Sequence, residues 1–210
     1  MFFRVPPADR MAGAEDLASS PWQDAELSSL NSAYGGVVVE MLGADYEFKA
    51  KPGSAVTLRV GVAGVSRFLT LVGLGPKAKA SEPVQWGSSA WAKLGEQAAA
   101  AAKANKCRSV GVAVLGASSA LSADAARATA CGDITSGLLS GGYEELQFKS
   151  KPIAAIKLER AEILLGVSGS AAAKESIQAA HGVASAAMVS KYVNERACNC
   201  CHPPLRPMLP

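Results

Sequence analysis

Charge is scarce in this sequence. Asp, Glu, Lys and Arg make up 19% of the 210 residues, and 21 basic residues face 18 acidic ones, for a net charge of +3. The basic residues are scattered, without the patch or stripe that nucleic acid requires, so nucleic acid is not an expected partner. Aromatics are equally thin, at 6%. No stretch reaches the roughly 18 uninterrupted apolar residues of a membrane span, and no membrane association is expected. The first residues, MFFRVPPADRMAGAEDL, lack a long apolar core, and Asp9, Glu15 and Asp16 argue against an acid-poor transit peptide. Only Cys107 and Cys131 interrupt the body of the chain, and they read as reduced thiols. These absences together predict a soluble intracellular protein, cytoplasmic by default, with a plastid left open.

What is present is small and apolar. Hydrophobic residues are 49% and glycines number 20, so packing has to rely on Ala and Gly at close backbone approaches. The length suits one large domain or two small ones. Residues 24–42 place Leu27, Leu30, Tyr34, Val37, Val38 and Met41 at helical spacing, with Gly35-Gly36 as a weak point. KAKPGS (49–54) is a turn. VTLRVGV (56–62) and FLTLVGLG (68–75) read as neighbouring strands. A helix is expected over 86–105, with Trp91, Leu94, Ala98, Ala101 and Ala102 inward. SVGVAVLG (109–116) carries no charge and predicts a strand buried on both faces. Ser122 is a candidate cap for a helix to about Leu139, with Ala125, Ala128, Thr135 and Leu138 inward; SGGY ends it. AEILLGVSG (161–169) is a further strand. Ser170 is a candidate cap for a closing helix whose face runs through Ile177, Ala180, Ala184, Met188 and Lys191-Tyr192. Strands alternating with helices predict an α/β fold, helices flanking a mixed, mainly parallel sheet.

The order VTLRV, RFLTLVGLGPKAKA, WAKLGEQAAAAAKAN, SVGVAVL, GLLSGGYEELQFKSKP, AEILLGVSG and HGVASAAMVSKYVNE resembles the N-terminal domain of the leucine aminopeptidase (cytosol aminopeptidase) family, its plant and algal members most closely. The likeness covers about Met11 to Asn194. It implies a three-layer domain of macro type, lying beside a larger metallopeptidase domain that releases N-terminal residues, Leu by preference. In the family that larger domain holds two divalent metals (zinc, manganese or magnesium) through a Lys, several Asp and a Glu, with a motif like Asn-Thr-Asp-Ala-Glu-Gly-Arg. The motif does not occur in this sequence. The resemblance therefore hands no residue a catalytic, cofactor-binding or metal-binding role, and this chain is expected to be inactive.

Both ends depart from the family. Residues 1–10 stand where an apolar strand is usual; Phe2, Phe3 and Val5 offer a remnant that Pro6-Pro7 would limit. In the family the Val-Asn end of the last helix leads into a segment like Asn-x-Pro-x-Asn-x-x-Thr-Pro. Here Val193-Asn194 is followed by ERACNCCHPPLRPMLP, expected to be an unstructured Cys/Pro-rich tail over 195–210 in a truncated family product. The implied partners are other copies of the chain or full-length aminopeptidase subunits. Met188, Val189, Tyr192 and Val193 are the expected contact cluster, with the surroundings of Trp86 and Trp91 as a second.

Several constellations invite a sharper reading. Cys198, Cys200, Cys201 and His202 are soft-metal ligand types, but they form one cluster without the distant second pair of a folded zinc site. An unstructured tail with adventitious thiols is the plainer reading, and a redox role the remaining one. Gly73-Leu74-Gly75 and Gly166-Val167-Ser168-Gly169-Ser170 follow strands and could cradle the phosphate of a nucleotide or ADP-ribose. Turn geometry explains them as well. His181 reads as a surface or half-buried helix residue, since no nucleophile or supporting carboxylate accompanies it. Cys107 and Cys131 read as small buried hydrophobes. Lys77, Lys79, Lys149 and Lys151 read as solvated loop charges, with a partner-contact role as the lesser reading.

Overall fold

The computed structural model describes residues 25–44, 51–62, 65–75, 88–115, 117, 121–143, 158–165 and 170–201. The expected helix over 24–42 is two helices, α1 (Ala25–Ala33) and α2 (Val37–Ala44). Gly35 and Gly36 separate them with φ of +66° and +88°, a region that side chains other than Gly rarely adopt. Asn31 stitches the break. Its carbonyl accepts from the Gly36 amide at 2.8 Å, and its Oδ1 accepts from the Val39 amide at 3.0 Å, satisfying a donor that the start of α2 would leave open.

A turn at 51–54, closed by the Ser54 amide donating to the Lys51 carbonyl at 2.9 Å, leads into an antiparallel hairpin. Strand β1 (Ala55–Val62) pairs with β2 (Val65–Val72), from Val62↔Val65 to Ala55↔Val72. Thr57 and Thr70 share a 2.9 Å hydrogen bond across it, and the Arg59 guanidinium lies 5.7 Å from the centre of the Phe68 ring. Along β2 the first half, Val65 to Phe68, is exposed and the second half, Leu69 to Val72, is buried. The buried half feeds two clusters. Leu69 and Leu71 pack with Val38, Leu42 and Val60, while Val72 packs with Trp91, Leu94 and Val112. Alternating side chains of one strand thus enter separate cores, as period-two geometry dictates.

Helix α3 (Ala90–Ala104) follows, then β3 (Ser109–Ala113), α4 (Asp124–Gly142), β4 (Arg160–Leu164) and α5 (Ala171–Cys201). Strands β3 and β4 pair in parallel, Ser109↔Arg160 to Ala113↔Leu164, and α4 lies in the crossover that parallel pairing needs. The architecture is mixed α/β. Among the described residues the strands form two pairs, one antiparallel and one parallel.

Four expectations need correcting. The expected two-sided burial of residues 109–116 does not hold: in β3 Ser109 and Gly111 are exposed, and Val112 alone is fully buried. The lack of charge there reflects small residues rather than enclosure. Ser122 does not cap α4; the cap position is Ala123, which has no side-chain acceptor, and Arg127 Nη1 instead donates to the carbonyls of Leu121 and Ser122, each at 3.0 Å. The buried face of α4 runs through Ala130, Cys131, Ile134 and Leu138, leaving Ala125 in solvent. Finally, α5 continues past Asn194 to Cys201. Residues 195–201 are therefore helical, not an unstructured tail. Glu195, Arg196 and Ala197 are good helix formers, and the first proline comes at 203, after His202.

Candidate functional site

Among the described residues the three long helices pack most extensively, with α4 between α3 and α5. Glycine sets the α3–α4 distance. A Cβ on Gly95 would collide with the Ile134 carbonyl, and one on Gly137 with the Ala92 carbonyl. Gly141 meets the Glu96 backbone in the same way. Helix axes approach this closely only where side chains are absent. On the other side of α4, Gly132 makes room for Ser176 of α5. The α3 start is fixed to α4 by one polar chain. Ser89 Oγ accepts from the Ala92 amide at 3.1 Å and donates to Asp133 Oδ2 at 2.6 Å. The Ser170 hydroxyl caps α5 as the sequence suggests, accepting from the Ala173 amide at 3.1 Å.

Gly73-Leu74-Gly75 is buried throughout, with Leu74 3% exposed. The Gly73 amide donates to the Ser54 carbonyl at 2.8 Å and its carbonyl accepts from Gly53. Gly75 has φ of +74°, and a Cβ there would meet the Pro52 ring at 2.8 Å. This is turn geometry; a phosphate would find the loop closed and the Gly73 donor engaged. Gly166 to Gly169 lie outside the described residues, as do Lys77, Lys79, Lys149, Lys151, Phe2, Phe3, Val5, Trp86 and His202.

His181 is exposed on α5. Cys131 is buried, and desolvation pushes its thiol above the ordinary range. Cys107 is half-buried, its Sγ 3.6 Å from the Asn105 carbonyl, so it is less enclosed than the sequence suggests. Trp91 is 5% exposed and belongs to the core, which removes it from the expected contact surface. No group of three His, Cys, Asp or Glu side chains among the described residues could hold a metal ion. The two metals implied by the resemblance therefore have no fitting donor set there. No described helix is long and apolar enough to cross a membrane.

The surface that stands out is the outer side of α5. Its inner side, Ala173, Ile177, Ala180, Ala184 and Met188, is buried or half-buried; Lys191, expected on the same face, is exposed, and the side chains of Tyr192 and Val193 lie outside the described residues. Its outer side from Gln178 to Ser190 exposes Ala179, Gly182, Ala186, Val183 (70% exposed) and Val189 (62%) and carries no Asp, Glu, Lys or Arg. At its far end Lys191 Nζ sits 5.9 Å from the centre of the Tyr143 ring. No sequence signal beyond periodicity pointed to Val183; it is seen only once the packed side of α5 is known.

Comparisons with known proteins agree with one another. Residues 17–152 match the N-terminal domain of the cytosol aminopeptidase family. Leucine aminopeptidase 3 of Arabidopsis thaliana, chloroplastic, is 37% identical over 134 residues, 64% of this chain and 21% of the relative. The neutral leucine aminopeptidase of Solanum lycopersicum, also chloroplastic, is 33% identical over 67% of this chain and 23% of the relative. A mutant tomato leucine aminopeptidase of known structure superposes with a TM-score of 0.58 at 26% identity, over 78% of this chain and 29% of that one. The chain thus spans less than a quarter of the length of these curated relatives.

Proposed function

Because the chain belongs to the cytosol aminopeptidase family through that family's N-terminal domain, we propose that it acts as the non-catalytic N-terminal unit of a leucyl aminopeptidase-type metallopeptidase. Its match lies in the domain outside the family's chemistry, and this observation carries the reading. The catalytic sequence pattern of the family does not occur here, so no step of peptide hydrolysis is assigned to any residue. The proposed architecture is the three-layer macro type. Alternating residues of β2 entering two clusters, one with α2 and one with α3, support it. The chloroplastic relatives favour a plastid for this chain over the cytoplasm.

The test is hydrolysis of a leucyl anilide by the pure chain with Mn²⁺ or Zn²⁺. No turnover above a metal-only blank is expected; metal-dependent turnover that co-purifies with the chain would refute the reading.

A second role rests on the outer side of α5. An uncharged face with two exposed valines is a contact surface in search of a cover, and the domain's proposed work is assembly, with copies of itself or with full-length aminopeptidase subunits.

A further inference from the structure

The exposed half of the β1–β2 hairpin carries arginines without acids. Among the described residues, Arg108, Arg127 and Arg160 each lie against a carboxylate, of Glu159, Asp124 and Glu162. Arg59 and Arg67 have no such partner there, and no Asp or Glu occurs between Glu47 and Glu82. The register puts these two arginines on opposite faces. Arg59 stands opposite Phe68 and Gly61 opposite Ser66, all on one face, while Arg67 stands opposite Val60 on the other.

Arg59 is already held in place. Its Nε donates to Ser66 Oγ at 2.5 Å, and its guanidinium carbon lies 5.7 Å from the centre of the Phe68 ring. Both contacts leave its terminal nitrogens, the fork that matches a carboxylate, without an acceptor among the described residues. Ser66 accepts from Arg59 through a lone pair, so its own O–H is left to donate outward. Gly61 has nothing within 4 Å of where a Cβ would stand, which keeps the space beside these donors open. Phe68 is 42% exposed, so donors and an apolar surface meet the solvent together. A guanidinium fixed beforehand loses less rotamer freedom when a ligand arrives.

One cation on a face suits a peptide carboxylate better than a polyphosphate or an anionic membrane, which draw on clusters of several Lys and Arg. Arg67 serves the opposite face. Lys51 lies beyond the other end of β1, about 20 Å along the strand at ~3.3 Å per residue. The open part of the Phe68 ring offers contact to an apolar side chain, which a phosphate lacks.

We propose that the Arg59–Ser66–Phe68 face of the hairpin is a docking surface for an acidic peptide segment. A Glu or Asp carboxylate of the partner accepts from both terminal nitrogens of Arg59 and from the Ser66 hydroxyl, and a neighbouring apolar side chain covers Phe68. The acid arrives ionised, so no proton moves. The contact involves neither α5 nor the peptidase assignment, and its test is separate from theirs.

The full 210-residue chain, isotope-labelled for amide NMR, is titrated at low salt with an acetylated and amidated Glu-Leu-Glu-Leu peptide. Amide shifts are expected at Arg59, Gly61, Ser66 and Phe68, and the Gln-Leu-Gln-Leu peptide should bind about fivefold more weakly or less. Arg59→Gln should weaken binding by about fivefold or more and Ser66→Ala by about threefold. Arg67→Gln, the same charge change on the opposite face, should alter it by less than about twofold. All three side chains are exposed, so melting temperatures should match the parent; if Arg59→Gln disturbs the hairpin, Ser66→Ala decides. Equal losses from Arg59→Gln and Arg67→Gln would overturn the assignment in favour of diffuse attraction. So would no shift at these amides with millimolar peptide, or inorganic phosphate or phosphatidylglycerol vesicles binding there more tightly than the peptide.

Discussion

Gly95 and Gly137 face one another across the α3–α4 crossing with no space for a methyl group on either. The alanine-rich composition of α3 is not only a matter of helix propensity. It permits a helix pair whose backbones nearly touch, with Leu94, Ile134 and Leu138 buried around the contact. Each such side chain contributes about 1.5–3 kcal/mol by leaving water, so the crossing anchors the larger core.

Gly95→Ala and Gly137→Ala should each destabilise the chain by about 1–3 kcal/mol, because neither helix backbone can give way without opening the core. Gly182→Ala is the counter-test. It lies mid-helix on the exposed side of α5 with nothing near its Cβ, and should stabilise by up to about 1 kcal/mol. Urea unfolding of the three variants checks both signs.

Ser89→Ala should cost about 1 kcal/mol as a lost helix cap. It also strips Asp133 of its 2.6 Å donor. A double-mutant cycle with Asp133→Ala should therefore be non-additive, with a coupling of about 0.5 kcal/mol or more. Ser88→Ala, on an exposed hydroxyl whose Glu96 contact is 3.2 Å, should change stability little.

Cys131 makes stability depend on alkaline pH. Burial raises its folded-state pKa above the unfolded value. The unfolded chain therefore ionises this thiol first as pH rises. The contribution is fully present below the ordinary thiol pKa and is lost as pH climbs through the folded-state value. Urea midpoints from about pH 7 to about pH 10 should fall for the parent. They should fall less for Cys131→Ala, measured against its own neutral value.

Val183→Lys and Val189→Lys together should weaken self-association, or capture by a full-length leucine aminopeptidase, without loss of helix content, since both side chains already face solvent. Sedimentation at micromolar concentration reads this out. A parent that stays monomeric and captures nothing would remove the assembly role.

Much of this fold was legible because its signals are local. The strands ending in Val62 and Val72, the alanine-rich helix and the Ser170 cap each follow from residues close together in sequence. The failures share a different cause. Ser122 is a good capping residue, but the first helical hydrogen bond runs from the Arg127 amide to the Ala123 carbonyl, so the helix starts one residue later than the capping pattern places it. The inward face of α4 depends on where Gly132 and Gly137 admit neighbouring helices, which periodicity alone does not reveal. Helix α5 runs past the family-like Val193-Asn194 end because the helix-forming Glu195-Arg196-Ala197 follow it. As for function, the outer side of α5 could be recognised as a surface only after its inner side was known to be packed.

The junction between Leu71 and Val72 bears on how the molecule opens. One residue belongs to the cluster built on α2 and the hairpin, the next to the cluster built on α3, α4 and the β3–β4 pair. Among the described residues beyond this strand, Leu115 is a side chain that reaches back to the first cluster. Proteins open in cooperative units that follow such divisions. The amides of α2 should accordingly exchange with deuterium by a lower-energy opening than those of α4, while β2 changes character partway along. Its exposed half fluctuates with the hairpin, and its last residues remain protected until the helical core itself comes apart. A single strand would then carry two different stabilities, with the boundary falling at one peptide bond.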